Sequence, residues 1–318
     1  MRRISRVLVA VLTVVLVLPI LTGCGKKVEE EFKGTITISG AWALYPMMVR
    51  WGEEFHKLYP DVQFDISAGG AGKGMADALA GTADIGMVSR DVTAEEEANG
   101  AYWVGCTKDA VFAAVSADNP VLDQLLTQGV TRETFMGIYI SGTITTWGQV
   151  VGDPTITDEI HVYTRSDSAG APDCWAKFLG GKQEDLLGIG VYGDPGLLDA
   201  VVQDALGIGY NNLNYAYDSS TGEAVAGAVT VPIDANANGT VDSGEEVDTK
   251  AKAVDAVATG RYPSPPARVL NLVTNGKPTG LVQAFEHWVL TDGQAFIAEV
   301  GYIELPEADL KTELAKLD

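Results

Sequence analysis

The chain has 318 residues, 46% of them hydrophobic and 20% charged. That composition excludes a disordered polymer and supports about two folded domains. Against 22 basic side chains stand 43 acidic ones, a formal net charge of −21, which excludes nucleic acid as the default partner because counterion release needs a positive face. Three cysteines are too few for a disulfide scaffold and lack metal-site spacing, while 36 glycines and 13 prolines suit the many tight turns of an α/β chain.

The N-terminus sets the compartment. Arg2, Arg3 and Arg6 precede an apolar run over residues 7–20, interrupted only by Thr13 and Pro19. About 14 residues are too few to span a bilayer and fit the apolar region of a signal peptide. The run ends in Leu21-Thr22-Gly23-Cys24, which resembles the lipobox of bacterial-type lipoproteins. That resemblance implies a signal peptide over 1–23 and a lipid on Cys24. Residues 24–33 read as a polar tether, so the mature protein is expected outside the cytoplasmic membrane, anchored to it. Cys106 and Cys174 remain as thiols whose pairing the sequence leaves open.

Residues 34–39 alternate as a strand. Residues 45–59 then place Met47, Met48, Trp51, Phe55 and Leu58 at helical spacing behind Pro46. A second strand at 62–67 runs into a glycine-rich turn (68–74) and a short helix at 75–80, followed by a strand at 83–88. This is an α/β unit with a parallel sheet. A strand at 110–115 opens a second unit. It has helices at 131–138, capped by Thr131, and at 172–179, and strands at 160–163, 208–210 and 229–233. A helix at 250–258 ends at Gly260. The stiff connector 262–266, a strand at 269–273 and a helix at 279–290 complete the chain.

Three turns each follow a strand and open a helix: Ala41-Trp42-Ala43-Leu44-Tyr45-Pro46, Gly69-Gly70-Ala71-Gly72 and Asp167-Ser168-Ala169-Gly170-Ala171. A helix N-terminus carries unpartnered N–H groups and about half a positive charge, and small residues let an anion approach. Arg90 and Arg165 stand beside two of these turns. Trp42 and Tyr45 are bulky enough to be core instead.

The collinear set Gly40–Pro46 (GAWALYP), Ser67–Gly74 (SAGGAGKG), Ala83–Arg90 (ADIGMVSR) and Tyr163–Gly170 (YTRSDSAG) resembles the phosphate-binding proteins of high-affinity phosphate ABC importers. Supporting segments recur at 119–121, 143–151, 207–210, 262–268 and 293–305, so the likeness covers nearly the whole mature chain. It implies an α/β periplasmic-binding-protein fold of type II, with two lobes, each a mixed sheet flanked by helices, joined by two crossover strands. Lobe 1 would be 34–114 plus 268–318 and lobe 2 would be 115–267, with the ligand in the cleft and hinge closure burying it. The implied ligand contacts are Ala43, the amides of Leu44 and Tyr45, those of Gly70, Ala71 and Gly72, then Ser89, Arg90, Arg165, Asp167, Ser168, Ala169, Gly170 and Ala171. Asp167 would accept a hydrogen bond from the O–H that monohydrogen phosphate still carries and sulfate lacks. The implied partners are inorganic phosphate or a related oxyanion and an ABC permease, with the chain acting as a monomer. This sequence departs from the family where hydroxyls line the loops: it has Ala43, Leu44, Ala71, Ala169 and Ala171. Unless main-chain amides, Trp42 or Tyr45 compensate, the ligand would be another oxyanion such as molybdate or tungstate.

A separate motif lies at 234–245. Asp234, Asn236, Asn238, Thr240, Asp242 and Glu245, with Gly239 at the sharp turn, match D-x-[DN]-x-[DN]-G-x5-E. Such oxygen spacing suits a structural Ca2+ in an EF-hand-like loop. A Ca2+-dependent surface module is accordingly the expectation competing with transport. His56, His161 and His287 are scattered outside any catalytic motif, and the chain reads as a non-enzyme.

Overall fold

The computed structural model describes residues 32–318. The signal segment 1–23, Cys24 and the tether up to residue 31 lie outside the described residues. Nine strands are described: β1 (Gly34–Gly40), β2 (Val62–Ala68), β3 (Ile85–Val88), β4 (Ala101–Ser116), β5 (His161–Arg165), β6 (Ile189–Val191), β7 (Gly207–Asn212), β8 (Ala228–Thr230) and β9 (Ala267–Asn275). They run in the order β2-β1-β3-β9-β4-β7-β5-β6, with β8 added to β4. β1 is parallel to β2 and β3, and β5 is parallel to β6 and β7. β9 runs antiparallel to β3 and β4. The fold is mixed α/β, as the resemblance implied.

Two apolar cores lie at the two ends of this sheet. The first gathers Ile38, Met47, Trp51, Phe55, Ile85, Leu272 and Phe285, and the second Phe112, Phe135, Tyr139, Trp175, Tyr210 and Tyr217. β4 and β9 pass from one to the other. Along β4, Val104 and Cys106 belong to the first core and Ala110 to the second. Along β9, Ala267 belongs to the second and Leu270 to the first. The crossing therefore falls near Asp109 and Arg268, which face each other in register. Ala110–Ala113 and Val115 are buried among second-core side chains.

Local sequence explains the elements that frame the site. The helix Tyr45–Leu58 buries Met47, Met48, Trp51 and Phe55 and sets Arg50 against Glu54 on its outer side. Pro46 fits its first turn, where a missing N–H costs nothing. The helix Ala71–Ala80 starts four residues earlier than the apolar pattern suggests. Its glycines are a packing device: a Cβ on Gly74 would stand 2.6 Å from the Met87 carbonyl oxygen and 2.8 Å from the Gly40 Cα. The helix Gly170–Leu179 likewise starts two residues ahead of Pro172. Several elements escape the sequence pattern, among them the helices Leu122–Gln128 and Glu307–Leu317, β6, and the helix Gly193–Val202, whose opening Gly-Asp-Pro-Gly reads as a turn.

Both thiols are free and buried in different cores. Cys106 donates to the Leu270 carbonyl and Cys174 to that of Pro266. Among the described residues no helix is long and apolar enough to cross a membrane.

Candidate functional site

The loops that open helices from both ends of the sheet meet over β4 and β9. They close on a narrow cavity, too tight in this structure to admit a water molecule, lined by Trp42, Ala43, Ala71, Ser89, Arg165, Ala169, Gly170, Ala171, Asp194 and Asn212. Four segments expected from the sequence thus converge. Trp42 and Ala43 come from the turn after β1, Ala71 from the turn after β2, Ser89 from the end of β3, and Arg165 and Ala169–Ala171 from β5 and the turn after it. The two sides touch directly. The Gly72 amide donates to the Ser168 carbonyl at 3.2 Å. A Cβ on Gly170 would stand 2.1 Å from Ser89 Oγ and 2.2 Å from its carbonyl oxygen, so only glycine permits this approach.

Arg165 is the charged centre. Its Nε and Nη2 donate to Asp167 at 2.7 and 2.6 Å and its Nη1 to Asp194 at 2.6 Å. Its side chain is fully buried. Burial pulls its pKa down, but Asp194 and Asp167 outweigh that, and the net shift is upward. Three of the five guanidinium N–H bonds are engaged by these carboxylates, which leaves two for a ligand. The amides of Ala71, Gly170 and Ala171 form no hydrogen bond to another described residue. They open the helices Ala71–Ala80 and Gly170–Leu179, so two positive helix ends face the cavity.

Several of the expected contact residues lie off the cavity wall or have their amides engaged elsewhere. The Leu44 amide donates to the Ala41 carbonyl and the Tyr45 amide to that of Trp42, closing a short 3-10 turn (Trp42–Leu44). The Leu44 side chain is core and Tyr45 packs half-buried against it. Gly70, with φ of +95°, donates to Gly40, and Gly72 donates to Ser168; only the Ala71 amide of that trio remains free. Arg90 turns away from the cavity to a bidentate pair with Glu96 at 2.9 and 2.6 Å. Its Glu96 hydrogen bonds hold its pKa up despite burial. Ser168 contributes its carbonyl to the contact across the cleft. Asp167 does not line the cavity: Oδ1 accepts from Arg165 and the Gly193 amide, Oδ2 from Arg165. It holds the arginine in place.

The carboxylate at the cavity wall is Asp194, which sequence reasoning missed because its helix was not recognised. It is completely buried. Its Oδ1 accepts from the Asn212 amide at 3.2 Å and from Asn212 Nδ2 at 2.7 Å. Asn212 Oδ1 accepts in turn from Arg268, which also pairs with Asp109 at 3.3 Å. A continuous buried chain, Asp167–Arg165–Asp194–Asn212–Arg268–Asp109, so runs from the cavity to the point where β4 and β9 cross between cores. Burial pushes the Asp109 carboxyl up to about 6 against the pull of Arg268. No single-sequence signal marks Asn212 or Arg268 as members of this chain, since they are assembled by strand pairing.

The loop at 234–245 folds around its own side chains. Asp234 accepts from the amides of Asn238 and Gly239 at 3.2 and 2.9 Å, and Asn236 and Asn238 donate to Asp242 at 2.7 and 2.8 Å. Thr240 donates to Asn238, and Glu245 accepts from the amides of Ala235 and Asp242. Among the described residues no three His, Cys, Asp or Glu side chains are grouped to hold a metal; a cation here would rely on the Asn and main-chain oxygens as well.

Comparison with known proteins agrees with the architecture. A phosphate-binding protein PstS of Bacillus subtilis is 27% identical over 289 residues, covering 90% of this chain and 85% of that protein. A putative phosphate ABC transporter substrate-binding protein from Clostridium perfringens, solved with bound phosphate, superposes with a TM-score of 0.70 at 24% identity, covering 86% of this chain and all of the other. An ABC-type phosphate transport receptor from Vibrio cholerae gives a TM-score of 0.62 at 22% identity over 85% of this chain and all of its own. The family model of the PBP superfamily domain matches residues 27–293. With two cores bridged by β4 and β9 and a cavity at their meeting point, the chain belongs to the PBP superfamily.

Proposed function

We propose that this protein captures inorganic phosphate between its two ends and delivers it to an ABC permease, tethered outside the cytoplasmic membrane by a lipid on Cys24 and acting as a monomer. The observation that carries the reading is the cavity at the meeting of four loops, where a buried guanidinium and the openings of two helices converge. Backbone amides and a charge-assisted fork are the donors an oxyanion needs. The Bacillus relative is a phosphate-binding protein and the Clostridium structure holds bound phosphate, and the motifs at 67–74 and 163–170 are the segments of this chain that resemble that family. The ligand contacts assigned in this reading are Ala71, Gly170, Ala171, Ser89 and Arg165.

Selection against sulfate falls to Asp194 rather than Asp167. A carboxylate at the wall repels a fully deprotonated ion but accepts a hydrogen bond from monohydrogen phosphate. Entry and exit use the two crossover strands as a hinge. The histidines and thiols supply no nucleophile with a partner base at the cavity, so binding rather than turnover is the role we assign. In this reading the 234–245 loop takes a structural Ca2+, with Asp234, Asn236, Asn238, Asp242, Glu245 and the Thr240 carbonyl as the oxygen set.

Titration calorimetry on residues 25–318 tests the reading. Saturable heat with phosphate and none with sulfate is the expected result. Heat with molybdate or tungstate alone would transfer the site to another oxyanion, and chelator-sensitive binding of a macromolecule without any anion heat would favour the surface-module alternative.

A further inference from the structure

The cavity wall is poor in side-chain donors. Five of its ten residues are Ala or Gly, and Ser89 carries its one hydroxyl. Asn212 has its Nδ2 engaged by Asp194. Besides the two free N–H groups of Arg165 and the Ser89 hydroxyl, one more donor stands at the wall: Trp42 lines the cavity, and its indole Nε1 is shielded from solvent without any hydrogen-bond partner among the described residues. Burying an unpaired N–H is destabilising; Trp175 and Trp288 also have unpartnered indole nitrogens, but of the three only Trp42 lines the cavity.

The ring is held in position. It meets Tyr192 edge-on at 6.2 Å and Tyr215 edge-on at 6.4 Å between centroids. Its Cζ2 and Cε2 would lie 3.3 and 3.4 Å from a Cβ placed on Gly193, and Cε2 is the carbon bonded to Nε1. The nitrogen edge of the indole therefore faces the start of the Gly193–Val202 helix, where Asp194 stands at the cavity wall. Trp42 belongs to the turn after β1, whereas Tyr192, Gly193 and Tyr215 belong to the opposite end of the sheet. Its position thus depends on the two ends being closed on each other.

We infer that the Trp42 indole N–H is a ligand donor of this site, contacting an unprotonated oxygen of the bound phosphate when the cleft closes. The inference rests on the phosphate reading given above and deepens it. An indole nitrogen donates and cannot accept, whereas a hydroxyl can do either. Trp42 therefore fixes which oxygen it meets: one without a proton. Asp194, an acceptor, takes the protonated oxygen on its own side. The pair sets the orientation of the ion and makes the site selective for a ligand that carries both kinds of oxygen.

Two measurements test this. The first is calorimetry with inorganic phosphate on wild type and Trp42→Phe, which keeps an aromatic ring and removes the N–H. A hydrogen bond to a charged acceptor predicts a Kd weakened about 10- to 150-fold. The second is the indole region of a nitrogen-15 spectrum of the wild-type chain, with the six tryptophan signals assigned by triple resonance. Saturation with phosphate is expected to move the Trp42 Nε1–H signal downfield, while Trp51 and Trp147, already bonded to the carbonyls of Gly293 and Leu206, hold theirs. This readout needs no variant to fold. A phosphate-saturated wild type whose Trp42 signal stays in place, or a folded Trp42→Phe protein that binds within twofold of wild type, overturns the inference and leaves the phosphate reading standing. No phosphate heat with the wild type overturns both.

Discussion

Replacing Arg165 by lysine separates the two jobs this residue performs. Its guanidinium makes three hydrogen bonds to Asp167 and Asp194 and offers two more N–H groups to the cavity. A lysine keeps the positive charge between the two carboxylates but has only three donors on one nitrogen, and it lacks the planar fork that reaches both acids. An ammonium placed to satisfy the carboxylates has no geometry left for the ion. Two charge-assisted hydrogen bonds at about 1.5–3 kcal/mol each give a loss of about 3–6 kcal/mol in binding, or roughly 10^2- to 10^4-fold in Kd. The effect on folding is smaller, because the buried acids still face a cation. By contrast Arg165→Met strands both of them and is expected to destabilise by about 3–5 kcal/mol. Calorimetry with phosphate and urea unfolding of the same preparations check both numbers. Phosphate affinity of Arg165→Lys within threefold of wild type would refute the assignment of the free N–H groups to the ligand.

Further outcomes follow from other parts of the molecule. Gly170→Ala puts a methyl where Ser89 Oγ and its carbonyl now stand, 2.1 and 2.2 Å from the new carbon; the cleft cannot close fully, so phosphate affinity should fall at least tenfold with little change in melting temperature in its absence. Glu286 is buried with its Oε1 unpaired, and burial raises its pKa from the model-peptide value of 4.5 to about 8. A raised acid pKa means stability is fully present below about 4.5 and lost as pH rises through about 8, by at most about 5 kcal/mol; Glu286→Gln should flatten the pH dependence of urea unfolding over that window and be the more stable protein at pH 9. Chelation with EDTA should lower the melting temperature by several degrees while leaving phosphate affinity unchanged, and Asp234→Ala should remove the response to added Ca2+.

The parts of the fold that were legible in the sequence are those with a local cause. The helix Tyr45–Leu58 shows itself through apolar spacing, and Thr131 caps its helix by accepting from the Thr134 amide, as its position suggests. The cavity loops were legible because small residues between a strand and a helix leave amides free; the turns that this rule marked supply Ala43, Ala71 and Ala169–Ala171 to the wall, with Arg165 beside one of them, while Ser89 came from the family resemblance alone. The same rule failed where a local hydrogen bond competes. Leu44 and Tyr45 close a 3-10 turn, Gly70 reaches back to Gly40, and Arg90 finds Glu96 six residues on. Asp194 was hidden because glycine and proline at the start of its helix mimic a turn. Asn212 and Arg268 join the network only through the pairing of β7 and β9 with β4, which neighbouring residues cannot encode.

Function turns most directly on whether a tetrahedral oxyanion occupies the cavity around Arg165. Calorimetric titration of the lipid-free chain with phosphate, repeated with sulfate at the same pH and ionic strength, measures this. Saturable one-to-one heat with phosphate, absent with sulfate and abolished in Arg165→Lys, is the predicted result. A flat phosphate titration of a folded protein stripped of any carried-over ion would contradict it.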